Sequence, residues 1–140
     1  MRVIYHQNKF SILRFDKGDD VPSALATFCE KNDITAGFFS GLGACEEITI
    51  SYYDLEKKQY LDLQKKEDLE IVSLTGNIAV MDEKTLVHAH GVFSDRNFTT
   101  VAGHVKQLRV SATCEVHLTI LPNKTVREYD KKTGLNLMKS

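Results

Sequence analysis

Three of the chain's five histidines have neighbours and spacing that suit metal chemistry. His88 and His90 stand two apart in Thr85-Leu86-Val87-His88-Ala89-His90-Gly91-Val92-Phe93, a run that reads as a strand. Side chains alternate along a strand, so both imidazoles leave the same face, about 7 Å apart. A cation between them needs a third ligand from a neighbouring element. His104, which follows Gly103 after a short connection, is the expected one. Neutral imidazole nitrogens hold zinc at about 2.0–2.1 Å, and three protein ligands leave one position for water or another ligand. A His-x-His pair alone reads more plainly as a polar strand face; the third histidine and its glycine favour the ion. His6 and His117 have no partner at useful spacing and are read as surface or sheet-face residues.

Charged neighbours fill out this expectation. Glu115 or Asp95 would supply a carboxylate beside the ion, since open zinc sites usually enlist one. The structural alternatives are a strand-edge ion pair for Glu115 and a turn role for Asp95, which precedes Arg96-Asn97. Lys106 and Arg109 would draw a small anionic ligand to the metal, or else are solvated surface charges. No Ser–His–Asp or Cys–His arrangement stands out, so the sequence names no reaction.

The 140 residues are expected to form one domain, 1–140, large enough for its own core. Apolar residues make up 42% and charged residues 26%, an ordinary globular balance, with a formal net charge of −1. Scattered Lys and Arg speak against a wide grip on a phosphate backbone, which rests on neutralising many phosphates. Cys29, Cys45 and Cys114 lie far apart with no Cys-x-x-Cys spacing. With no secretory apolar segment, they suit a reducing cytoplasm. The apolar runs are too short for a membrane span.

The elements that must position the histidines follow from pattern. Strands are expected over residues 2–5 and 10–15, the second with Phe10, Ile12 and Arg14 on one face and Ser11, Leu13 and Phe15 on the other. Asp19-Asp20 offers helix caps, Pro22 suits the first turn, and Val21, Leu25, Phe28 and Cys29 form one apolar stripe ending at Asn32-Asp33. Gly41-Leu42-Gly43 runs on into strand at Ile48–Tyr53 and opens no helix, which excludes a dinucleotide fingerprint. Its glycines mark a bulge, a turn or a close backbone approach. A strand at 59–63 follows. In 67–77, alternation puts Leu69, Ile71 and Ser73 opposite Glu70, Val72 and Leu74. The short polar turn Asp82-Glu83-Lys84 then pairs residues 78–81 with the histidine strand in a hairpin. Residues 98–104 read as strand or loop and 106–110 as helical or extended. Residues 112–121 are a strand with Cys114, Val116, Leu118 and Ile120 on one face, and Val126–Tyr129 with the Thr133–Leu137 tail make a last pair. One main amphipathic helix among hairpin-ordered strands predicts an α+β fold on a mostly antiparallel sheet.

Several segments together resemble the PPC (plants and prokaryotes conserved) domain, in its free-standing prokaryotic form. They are Gly37–Ala44, Tyr52-Tyr53-Asp54, Glu70–Ala79, Val87–His90, Ala102–Val105, Ala112–Val116 and Thr133–Leu137. The resemblance implies a PPC-like antiparallel α+β domain assembled as a homotrimer. It also implies a zinc-like divalent ion on the histidines of the His-x-His and Gly-His motifs, here His88, His90 and His104. In land plants the domain follows an AT-hook in nuclear DNA-binding proteins, and free-standing members take a DNA-binding label from them. No Arg-Gly-Arg-Pro hook occurs in these 140 residues. Lys57-Lys58, Lys65-Lys66 and Lys131-Lys132, each beside an acidic residue, are expected to support weak, salt-sensitive DNA binding at most. A scaffold in which the histidines merely pack is the third reading.

Overall fold

The computed structural model describes residues 1–139. Ten elements follow in order: β1 (Arg2–Gln7), β2 (Phe10–Asp16), α1 (Val21–Lys31), β3 (Gly37–Asp54), β4 (Gln59–Lys65), β5 (Leu69–Met81), β6 (Lys84–Ser94), β7 (Thr100–Ile120), β8 (Arg127–Asp130) and β9 (Leu135–Met138). The named strands pair antiparallel throughout, in the order β1-β2-β7-β6-β5-β3-β4, with β8 and β9 as a separate pair. A further β3–β7 pairing closes β3, β5, β6 and β7 into a ring. The fold is thus the expected mostly antiparallel α+β domain.

Two long strands make this closure possible. β3 runs through all three glycines, and its register against β7 slips at Gly43, between Cys45 and Glu47, and again at Thr49. Each slip bends the strand and adds twist, so one strand serves two walls. β7 absorbs both segments whose type the sequence leaves open, 98–104 from Thr100 onward and 106–110. β5 departs from simple alternation. A bulge between Ile71 and Ser73 leaves Val72 and Ser73 exposed and returns Leu74 to the core.

Helix α1 begins where predicted. Asp20 is the N-cap, with its side chain accepting from the Ser23 amide, and its other oxygen accepts from the Leu108 amide of β7 at 3.0 Å. One residue therefore satisfies a helix end and fixes the helix on the sheet. Val21, Leu25, Phe28 and Cys29 are buried in a core shared with Leu13, Phe15, Ile48, Leu74, Phe93, Leu108 and Val116. Burying each large side chain contributes on the order of 1.5–3 kcal/mol. The outer face of the same strands is different. Phe10, Ile12, Phe38 and Leu42 are exposed by 58%, 36%, 54% and 60%, too much apolar surface on one face to be incidental.

Candidate metal centre

Register brings the histidines together. His90 on β6 lies directly across from His104 on β7, His104 lies across from Ser51 on β3, and Ser51 lies across from Asp62 on β4. His88 sits two residues along β6, opposite Asn77 on β5. Alternation then puts all three imidazoles on one face, as expected. Their ring centroids are 5.1 Å (His88–His90), 5.2 Å (His88–His104) and 5.5 Å (His90–His104) apart. One ligating atom from each lies within 4.8 Å of the others. The centre of a triangle with that edge is about 2.8 Å from each corner, so small ring rotations reach the roughly 2.0–2.1 Å of a zinc–imidazole bond.

The donor set fits a divalent metal on a further count. The His104 Nδ1 is buried with no hydrogen-bond partner, a costly state for a ring nitrogen unless something else meets the ring's donor or acceptor capacity. Burial pushes the His88 pKa down to about 4, assisted by the nearby charges of Arg127, His104 and His90. Burial likewise lowers that of His104, with His90, Lys106 and Arg127 adding to it and Asp62 opposing. The His88 and His104 rings are thus held neutral, the form that ligates a metal.

This has a consequence for the metal-free protein. The unfolded chain protonates its histidines near 6.5, whereas folded His88 resists until about 4. Between those values the unfolded state binds more protons, so stability is fully present above about 6.5 and falls as pH drops toward 4. Metal-free wild type is expected to lose melting temperature over that interval more steeply than His88→Gln. Parallel slopes in a pH series of thermal melts would argue against the half-buried neutral ring.

Around the trio is a cleft of about 780 Å³, lined by the three histidines, Ser51, Tyr53, Tyr60, Leu86, Arg127 and residues 134–137. Tyr60 stacks on His104 with centroids 5.4 Å apart and interplanar angle 27°. Lys106, on the same face of β7 as His104, lies 4.8 Å above the Tyr60 ring and donates to both Asp62 oxygens at 2.7 and 2.9 Å. Ser51 donates to Asp62 as well, at 2.7 Å. These contacts hold the Asp62 carboxyl below the usual carboxylate range, the Lys106 bond first among them. The Tyr53 hydroxyl donates to the Thr133 carbonyl at 2.8 Å, tying the tail over the cleft.

The other sequence candidates lie elsewhere. Glu115 is exposed on the outer face of the sheet, across from Arg14 on β2 and Leu42 on β3. Asp95 is a turn residue, accepting from the Asn97 and Thr99 amides at 2.8 and 3.0 Å. Arg109 faces Glu47 at 3.4 Å, next to the Asp20 bridge. None of the three lines the cleft. His6 bonds Ser11 and meets Phe28 edge-on, and His117 lies on the outer face, across from Ser40 on β3. The carboxylate beside His104 is Asp62 instead, and the cleft's buried cation is Arg127. Alternation along β4 puts Tyr60 and Asp62 on one face, a signal available in the sequence; Arg127 carries no such mark.

The model of the Plants and Prokaryotes Conserved (PCC) domain matches residues 5–122, most of the chain. The chain belongs to this family. Its PCC fold is shared by a metal-containing protein from Archaeoglobus fulgidus, with TM-score 0.89 and 33% identity over 100% of this chain and 99% of that one. A protein from Bacteroides thetaiotaomicron, described as a candidate for DNA binding, superposes with TM-score 0.93 at 27% identity, covering 98% and 96%. A plant- and prokaryote-conserved protein from Pyrococcus horikoshii gives TM-score 0.88 at 26% identity, covering 95% and 92%. No curated protein matches the chain.

Proposed function

We propose that this PCC-domain protein binds zinc or a similar divalent metal through His88, His90 and His104, leaving a ligand position open to the cleft. The observation that carries the reading is the convergence of three imidazole nitrogens within 4.8 Å on one wall of the cleft. The description of the Archaeoglobus relative as a metal-containing protein supports it. Elemental analysis of protein purified without a histidine tag tests it. About one divalent ion per chain is expected; a content far below that, unchanged on adding zinc, would sink the reading.

We further propose that the whole chain, 1–140, acts as one domain within a homotrimer in the cytoplasm. The exposed apolar face carrying Phe10, Ile12, Phe38 and Leu42 supports assembly. Three buried free cysteines, whose thiols burial pushes up to about 12, suit a reducing compartment. No helix among the described residues is long and apolar enough to cross a membrane.

Association with DNA is the second reading, favoured by the Bacteroides relative's description. Three lysines of the pairs are already matched by carboxylates: Lys57 with Asp54, Lys65 with Glu67, Lys66 with Glu47. Neutralising half of these six lysines lowers the charge available to release counterions from a duplex. A gel-shift titration is expected to show a weak shift at low salt that vanishes at higher salt. No shift at low salt removes the DNA reading.

A further inference from the structure

Arg127 is a cation without a counter-charge. It is buried, 9% exposed, yet lines the cleft beside the histidines. Among the described residues no carboxylate lies within ion-pairing distance of it. Its partners are neutral: the Asn136 carbonyl at 2.7 Å, the Asn77 side-chain oxygen at 2.9 Å and the His88 Nδ1 at 3.1 Å. Its Nε is buried with no partner at all. A guanidinium does not shed its proton at working pH, so the charge stays.

The bond to His88 carries a chemical constraint. Guanidinium nitrogens only donate, so the His88 Nδ1 accepts and the neutral ring carries its proton on Nε2. A neutral imidazole that ligates a metal gives one nitrogen to the ion and keeps a proton on the other. Whichever nitrogen ligates, none is left to accept from Arg127. Metal ligation by His88 and the Arg127–His88 hydrogen bond therefore exclude each other.

We propose that Arg127 is the anion-binding residue of the cleft, released to take the carboxylate of a small organic acid when His88 takes up a metal ion. This rests on the reading of the histidines as ligands. Release leaves an unpartnered N–H on a buried cation close to a second positive charge, and an anionic oxygen relieves both. The planar donor fork matches a carboxylate. Lys106 is held by Asp62, so it does not compete for the anion. Tyr53, Tyr60, Leu86 and Leu135 give the cleft apolar walls, and its volume suits an acid with an apolar or aromatic body.

Calorimetry with benzoate as probe tests this, after zinc uptake has been titrated in the same sample. Zinc-loaded wild type is expected to bind benzoate at least about tenfold more tightly than metal-free protein, and by reciprocity benzoate tightens zinc by the same factor. Arg127→Gln keeps zinc uptake and loses most of that difference, leaving only what the ion's open position holds by itself. Arg127→Lys, which keeps the charge without the fork, recovers part of it, and a full difference in Arg127→Gln overturns the proposal. If Arg127→Gln does not fold, side-chain NMR of wild-type Arg127 replaces it, its N–H signals moving on zinc and again on benzoate. Equal benzoate affinity with and without zinc overturns the proposal, as does benzamide binding as well as benzoate, or inorganic phosphate displacing benzoate at equal concentration. Zinc uptake without benzoate binding sinks this inference alone. Absence of zinc uptake sinks the metal reading and this inference with it.

Discussion

Replacing His104 with alanine is expected to abolish metal retention while leaving the fold intact. His104 is the only one of the trio on β7, and it closes the triangle begun by His88 and His90 on β6. Without it, two imidazoles on one strand face an ion with half its tetrahedral shell missing. Even removing a group that only orients a ligand costs about 10–100-fold in affinity, so losing a ligand costs more than about 100-fold. The side chain is half-buried and its Nδ1 has no partner, so truncation leaves no broken hydrogen bond at that atom. Metal content after dialysis should fall to background, with circular dichroism unchanged. His88→Ala should behave alike toward metal. His117→Ala, on the outer face, should keep the ion. Equal metal in all three variants would show that the ion, if any, sits elsewhere.

The second large effect concerns a residue with no side chain. Gly76 on β5 pairs with Ala89, between the two histidines of β6. A Cβ there would stand 2.3 Å from the His88 carbonyl oxygen and 2.4 Å from the Phe39 ring. Neither neighbour yields cheaply: the carbonyl belongs to the strand backbone, and Phe39 is 3% exposed in the core. Gly76→Ala should therefore cost about 1–3 kcal/mol or more through overpacking. In a domain of this size each kcal/mol lowers the melting temperature by about 2–4 °C or somewhat more. The displacement falls on His88, so zinc affinity should drop as well, since ligands need placement to within about 0.5 Å. A thermal melt and a zinc titration of this variant check both; an unchanged melting temperature would contradict the close packing of β5 on β6.

How far the sequence reaches can be seen residue by residue. The period-two pattern suffices to put His88 and His90 on one face, and the short connection after Ser94 suffices to bring His104 back beside them. The helix was equally open to reading, because caps and a 3.6-residue stripe are local signals. What local signals do not carry is how one strand serves two walls. The 106–110 stretch has no clear period, since β3 shifts register against that part of β7. Simple alternation puts Val72 and Leu74 on one face, and the bulge on β5 separates them. Sequence proximity also misled. Glu115 is eleven residues beyond His104 on the same strand, about 36 Å along at roughly 3.3 Å per residue. Asp62 and Arg127, far away in the chain, arrive through cross-strand register and through the folding of β8 and β9 over the cleft mouth.

The central claim is that one metal ion sits among His88, His90 and His104. Anomalous X-ray diffraction above the zinc edge, on crystals of zinc-loaded protein without a histidine tag, tests it most directly. A single strong peak per chain is expected, within bonding distance of all three imidazoles and open on the side of Arg127. Anomalous density absent there, or centred on other residues, would contradict it.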